Sequence, residues 1–291
     1  MKNKSFTLIE ILVVIIIIGI LVSVVLFSTN DSTEKRKRLE VLTFSEGAKG
    51  KNLDSLISEW TFDGPTAVGS SATNADVKDS WGHNDGVVYG GPIIKGGEDC
   101  VVGKCLQFTG SNYTNTPSNS SFDLASEFSM SAWFYIDSYS TVSLNPLIGQ
   151  SNNLRFWQYA NNGVPACFVW EMYNDGTRRH YDISLSLIPL KKWTQITLIY
   201  GGGISKAYKD GKLFGTKTVG VVELPLSAES FYVGNTNYRG FLDEVRIYKK
   251  ALSVSEIKQN YIAGLDSLYS NNVISKEEYN QRTLNLAQNE E

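Results

Sequence analysis

The sequence predicts a mainly β protein, an all-β sandwich preceded by one long apolar helix and followed by short helices. Three observations carry this. Residues 8–27 contain only two polar side chains, Glu10 and Ser23. From Leu56 to Tyr248, short runs rich in β-branched and aromatic residues alternate with Gly, Asn, Asp and Ser clusters, the spacing of strands and turns. Beyond Tyr248 the pairs Ser253/Glu256 and Ser275/Glu278 carry the Ser-x-x-Glu signature of a helix start.

As a helix, residues 8–27 would extend about 30 Å, the thickness of a bilayer's hydrocarbon core. Glu10 is the exception in that span, because a carboxylate inside hydrocarbon costs about 3 kcal/mol at helix-centre depth unless it finds a partner. No small-residue cleavage site of the secretory type follows Phe27, whereas the small residue Ser5 precedes the span. Positive charges leave the orientation balanced, with Lys2 and Lys4 before the span and Lys35, Arg36, Lys37 and Arg38 after it. Leu39, Val41, Leu42 and Phe44 are compatible with the helix continuing outward until Gly47 and Gly50 end it.

Strands are expected at 58–62, 85–89, 104–108, 128–136, 154–159, 166–173, 178–185, 193–200, 205–209, 212–216, 231–234 and 241–248. Asp210-Gly211 between two of them is a strong two-residue hairpin signal. About a dozen strands exceed an immunoglobulin-like pair of sheets and suit a jelly roll. A short helix is expected from Ser253 through Tyr261, then two short helices in the tail between Gly264 and Arg282.

Cys100 and Cys105 bracket a turn through Gly103, a spacing that suits a hairpin disulfide worth about 2 kcal/mol in an oxidising compartment. Zinc is the alternative, but no second Cys or His pair completes four ligands. Cys167 lies in an apolar strand pattern and is expected to be a buried thiol. A net charge of -3 over 291 residues provides no basic field for nucleic acid.

The run Ser5-Phe6-Thr7-Leu8-Ile9-Glu10 behind a short basic leader resembles the class III signal of type IV prepilins and pseudopilins. The resemblance implies that a prepilin peptidase cuts between Ser5 and Phe6 and that Phe6 becomes N-methylated. It also implies that Glu10 pairs with the Phe6 amine of a neighbouring pilin or pseudopilin subunit. Ser5 stands where that family usually has Gly, which implies slower processing. The N-terminus is then cytoplasmic, and the chain crosses the inner (cytoplasmic) membrane once, with an extracytoplasmic head that reaches a cell-surface filament after processing.

Trp60-Thr-Phe-Asp63, Asp79-Ser-Trp-Gly82, Phe128-Ser-Met-Ser-Ala-Trp133, Tyr208-Lys-Asp-Gly211 and Gly240-Phe-Leu-Asp243-Glu-Val-Arg-Ile-Tyr248 resemble the laminin-G-like, concanavalin A-like jelly roll. Residues 264–282 are similar to a short helical-hairpin motif found on many bacterial proteins. The expected domains are therefore a leader at 1–5, a membrane and filament helix at 6–47, the jelly roll at 56–262 and a helical hairpin at 263–291. The resemblance implies that Asp63, Asp79 and Asp243, together with Asn84, are ligands of a structural Ca²⁺; the alternative is that Asp63 and Asp243 cap turns or hydrogen-bond to loop amides.

Some concanavalin A-like proteins hydrolyse glycans with paired carboxylates on one strand face. Here Asp243 and Glu244 are adjacent, expected on opposite sides of the sheet, and Glu171 stands alone. His83 and His180 are expected to be surface residues, so the chain reads as a non-enzyme. Exposed aromatics near Arg or amides would suit a glycan, and Trp157, Tyr159, Trp170, Tyr173, Arg178 and Tyr238 are the candidates. The expected function is non-catalytic adhesion or recognition of a glycan or surface protein by a pilin-like subunit. A structural pseudopilin with no ligand of its own is the alternative, followed by an anchored glycan-processing enzyme.

Overall fold

A computed structural model describes residues 53–124, 126–143, 146–150, 154–174, 177–221 and 229–287. The expected leader and helix, with Ser5, Phe6 and Glu10, lie outside the described residues. No helix among those described is long and apolar enough to cross a membrane.

In chain order the strands are β1 (Leu56–Trp60), β2 (Val87–Tyr89), β3 (Ile93–Gly96), β4 (Lys104–Thr109), β5 (Tyr113–Thr116), β6 (Glu127–Ile136), β7 (Ile148–Gln150), β8 (Leu154–Asn161), β9 (Val164–Asn174), β10 (Thr177–Ser184), β11 (Thr194–Gly201), β12 (Ile204–Lys209), β13 (Lys212–Thr218), β14 (Phe231–Val233) and β15 (Arg239–Tyr248). Among the described residues they form two antiparallel sheets. Sheet 1 runs β13-β12-β11-β6-β15-β4-β3, with β1 also paired to β15, and sheet 2 runs β10-β9-β8-β7-β14-β5-β2.

Period-two alternation explains the layering. Along β6, Phe128, Met130, Ala132, Phe134 and Ile136 enter the core, where they meet Phe156 of β8 and Phe168, Trp170 and Met172 of β9. Each phenylalanine, methionine and isoleucine among them contributes about 1.5–3 kcal/mol by leaving water. The intervening Trp133 and Tyr135 face outward from sheet 1 and receive other partners there. Trp133 stacks on Tyr261, and Tyr135 packs edge-on against Trp193 and Phe241.

The partner over Trp133 is a helical hairpin of α1 (Val254–Ser270) and α2 (Lys276–Ala287). Ser253 and Glu256 form the expected capping box. The helix does not stop at Tyr261, however, and the boundary expected at 262–263 falls inside it. Gly264 is compatible with continuation because its missing side chain lets the helix approach Trp133, whose ring would lie 2.5 Å from an added Cβ. Ser275 caps α2 by accepting from the Glu278 amide, while the Glu278 carboxylate bonds Arg282 and Lys192. The hairpin is tied to sheet 1 by Arg282, which donates to the Trp193 carbonyl at 3.0 Å, and by Asn271, which donates to the Val101 carbonyl at 3.1 Å.

The Asp210-Gly211 turn adopts positive φ at both residues, 49° and 77°, as a two-residue hairpin with right-twisted strands requires. Cys100 and Cys105 form a disulfide with Cα atoms 5.5 Å apart. Cys167 is half-buried in β9, opposite Tyr159, rather than enclosed in the core.

Candidate functional site

The outward face of sheet 2 gathers the most chemistry. Strand register lines up Asn115, Tyr232, Gly149, Arg155, Glu171 and His180 across six neighbouring strands. Glu171 is 3% exposed and lies between two arginines. It accepts from Arg155 at 2.8 and 3.1 Å and from Arg178 at 2.6 Å. Both guanidiniums also cover the Trp157 ring, at 4.7 and 5.7 Å from its centroid, within cation–π range. One buried carboxylate thus fixes two cations over one indole, and the Nε1 of that indole has no hydrogen-bond partner among the described residues.

Exposed rings flank this cluster. Tyr159 stands edge-on to Trp157 at 6.0 Å, and Tyr173 is paired in register with Arg178. On the other side of Gly149, Tyr89 stacks on Tyr113 at 4.5 Å and Tyr113 contacts Tyr232 at 6.1 Å. The result is a face with aromatic platforms at both ends and fixed hydrogen-bond donors in one half.

The sequence candidates are thereby divided. Trp157, Tyr159, Tyr173 and Arg178 share this face. Trp170 and Tyr238 do not, and the expectation that they meet a ligand is corrected. Trp170 is fully buried in the core against Phe128, and Tyr238 is 3% exposed with its hydroxyl bonded to the carbonyls of Tyr135 and Phe241. Sequence reasoning missed Arg155, the pairing of Glu171 with two arginines, and the Tyr89/Tyr113/Tyr232 group.

The acids first grouped as calcium ligands are engaged with backbone amides. Asp79 accepts from the amides of Glu59, Trp81, Gly82 and Asn84. Asn84 bonds Ser58 at 2.5 Å and also accepts from Asn119 and Ser121. Asp63 and Asp243 instead flank the disulfide turn. Asp63 takes the Lys104 amide at 2.7 Å, and Asp243 takes those of Val101 and Val102 at 2.9 and 3.0 Å. Asp63, Asp79 and Asp243 form no group able to hold a metal among the described residues.

Asp243 and Glu244 depart from simple alternation. The β15 register shifts between Asp243 and Arg246, and Glu244 has φ 50°, as at a bulge. Burial pushes the Asp243 carboxyl above its usual range, the nearby Glu244 charge adds to this, and the amides of Val102 and Val101 oppose it. The strict alternation expected for this pair therefore fails at the bulge. Glu244 pairs with Arg246, which also bonds Glu59 at 2.6 Å.

A two-sheet antiparallel sandwich with an aromatic and cationic outer face defines a lectin-like β-sandwich. The chain belongs to the concanavalin A-like lectin/glucanases superfamily, matched over residues 108–258. Residues 1–26 match the prokaryotic N-terminal methylation motif. Comparison with curated proteins finds no match. Among solved structures, the chain is similar to domain 4 of AbnA, an extracellular arabinanase of Geobacillus stearothermophilus solved with arabinotriose. The identity is 20% and the TM-score 0.53, covering 70% of this chain and 97% of that one. The binding domain of Paraclostridial Mosquitocidal Protein 1 is 18% identical with a TM-score of 0.55, covering 74% of this chain. A botulinum neurotoxin type C structure, described with two ganglioside molecules, is 17% identical with a TM-score of 0.54, covering 76% of this chain. This chain spans about half the length of those two toxin structures, 53% in each case. At these identities the likeness concerns the fold.

Proposed function

We propose that the chain is a type IV pilin-like or pseudopilin-like subunit whose extracytoplasmic head binds glycan without catalysis through the outward face of sheet 2. The observation that carries this reading is the joining of a methylation motif at residues 1–26 to a lectin-like sandwich whose Glu171 holds Arg155 and Arg178 over Trp157. Aromatic faces stack on the apolar faces of sugar rings, and fixed guanidiniums supply directional donors to hydroxyls. The arabinotriose and ganglioside named with two structural neighbours belong to those proteins, and they support glycan as the ligand class to test first.

The partners of this role are the prepilin peptidase, other pilin or pseudopilin subunits and the inner membrane, with a cell-surface filament as the destination. The test is a glycan array probed with the full-length chain in a sugar-free non-ionic detergent. Tyr159 and Tyr173 are 38% and 40% exposed, so removing their rings leaves the core intact. Retention of a subset of glycans is expected, weakened about two- to tenfold by Tyr159→Ala or Tyr173→Ala, in keeping with aromatic contacts of about 0.5–1.5 kcal/mol. Absence of retention on every glycan would favour the structural pseudopilin that binds only its assembly partners.

A further inference from the structure

The outward face of sheet 1 carries an open cavity of about 360 Å³ beside the start of α1, a volume at the lower end of small-molecule sites. Ile199, Ile204, Leu252 and Val254 give it apolar walls, and Glu127 and Lys206 bring one charge of each sign to it. Gly201 lies between Glu127 and Ile204 in register and leaves room there. An added Cβ would lie 3.2 Å from the Ala251 side chain and 3.8 Å from the Glu127 carboxyl carbon.

Three polar groups of this lining are unused. Among the described residues, neither the Glu127 carboxylate nor the Lys206 ammonium takes part in a hydrogen bond or ion pair. Tyr208 is 3% exposed, its ring clustered with Ile199 and Leu252, and its hydroxyl has no partner among the described residues either. Burial raises its pKa, and no neighbouring charge or hydrogen bond contributes. A hydroxyl removed from water without a partner is costly, and one that lines a cavity is placed to meet a ligand atom.

Strand register sets the length of what fits. Glu127 on β6 pairs with Gly201 on β11, Gly201 pairs with Ile204 on β12, and Lys206 lies two residues further along β12. With about 4.8 Å between strands and about 3.4 Å per residue, the backbones of Glu127 and Lys206 are about 12 Å apart. Charge-assisted hydrogen bonds of about 2.8 Å at both ends leave about 6–7 Å, the span of two residues of extended chain. A single amino acid is too short to bridge that distance.

We propose that this cavity binds a dipeptide with free termini and aliphatic side chains. Its ammonium meets Glu127, its carboxylate meets Lys206, its peptide carbonyl accepts from the Tyr208 hydroxyl, and a side chain packs between Ile199, Ile204, Leu252 and Val254. The site is on the sheet opposite the glycan face, and its failure would leave that reading standing.

The test titrates the full-length chain calorimetrically, in a sugar-free non-ionic detergent, with L-leucyl-L-leucine, its N-acetyl derivative, its C-terminal amide and L-leucine. Saturable binding of the dipeptide is expected, with the other three weaker by about tenfold or more, as loss of a charged hydrogen bond implies. Glu127→Gln should weaken the dipeptide by a similar factor without further weakening its N-acetyl derivative, and Lys206→Gln should do the same without further weakening the amide. Tyr208→Phe should weaken the dipeptide about two- to tenfold while leaving the thermal midpoint of the unliganded chain unchanged, because the hydroxyl has no partner there to lose. Tyr159→Ala should leave dipeptide binding unchanged. Absence of saturable dipeptide binding, binding of any of the other three probes as tight as the dipeptide, or wild-type binding by both Glu127→Gln and Lys206→Gln would each overturn the proposal.

Discussion

Asp76 illustrates how single polar residues hold the loops of this sandwich. It is 1% exposed and accepts from the Thr66 amide at 2.9 Å, the Thr66 hydroxyl at 2.5 Å, the Thr73 amide at 2.8 Å and the Thr73 hydroxyl at 2.9 Å. Burial would raise its pKa, but the hydroxyls and amides of Thr66 and Thr73 outweigh it and keep the carboxyl below the ordinary 3.8. Asp76→Asn directs an NH₂ group at these donors and is expected to cost about 1–3 kcal/mol at pH 7. A depressed folded pKa stabilises above the unfolded value and loses that contribution as pH falls through the folded one. The gap in urea stability between wild type and Asp76→Asn should therefore be full at pH 7 and shrink below about pH 3.8. A gap that stayed constant through that range would remove the carboxylate's charge from the explanation. The same scale explains why the candidate site was only partly legible. Phe168 to Tyr173 is apolar on both parities except at Glu171, so the rings alone do not say which of them face solvent. Glu171 is the signal that resolves it, because a charged residue at an outward position sends Tyr173 outward and Trp170 inward. Tyr238 precedes β15 in a turn, where no alternation exists to read.

At the scale of elements, the helical hairpin depends on one close approach. Gly264 sits in the interior of α1, where alanine would ordinarily gain about 1 kcal/mol in helix propensity. Here the added Cβ would lie 2.5–2.7 Å from three atoms of the Trp133 ring, which is pinned between Gly264 and the core strand β6. Overpacking of this kind costs about 1–3 kcal/mol, so Gly264→Ala is expected to lower the thermal midpoint despite the propensity gain. A raised midpoint would mean that the helix can shift off Trp133 freely. Each strand expected from sequence corresponds to an observed one, because each combines β-branched or aromatic residues with a turn signal. The ones missed, β3, β5 and β7, are three or four residues long and bordered or interrupted by Gly or Asn, too short for alternation to register. The first expected strand extended to Phe62, yet the strand ends at Trp60 and Phe62 has φ 61°, which removes it from the ladder. The helix expected to run from Ser253 through Tyr261 instead continues past Gly264, whose role is set by Trp133, a contact more than a hundred residues away that local spacing does not reveal.

At the scale of the whole molecule, the methylation motif and the lectin-like head imply a chain that matures by losing its leader. Ser5 is small, and the matched motif begins before it, so cleavage is expected between Ser5 and Phe6. Mass spectrometry of the N-terminal peptide from surface fractions should find N-methylated Phe6, and Ser5→Gly should raise the processed fraction. Glu10 supplies a sharper test of assembly. An unpaired carboxylate in the apolar span costs up to about 3 kcal/mol, so a neighbour's Phe6 amine would offset a penalty that the chain otherwise bears in the membrane. Glu10→Leu removes both the penalty and the pairing partner. Cleavage at Phe6 is therefore expected to persist while the variant accumulates in the membrane and is lost from sheared filaments. Retention of Glu10→Leu in filaments at the wild-type level would show that the acid does not direct assembly, and an intact Met1 in the wild type would mark an uncleaved anchor. In that second case the head would still carry its candidate face on sheet 2, but at the membrane surface rather than on a filament.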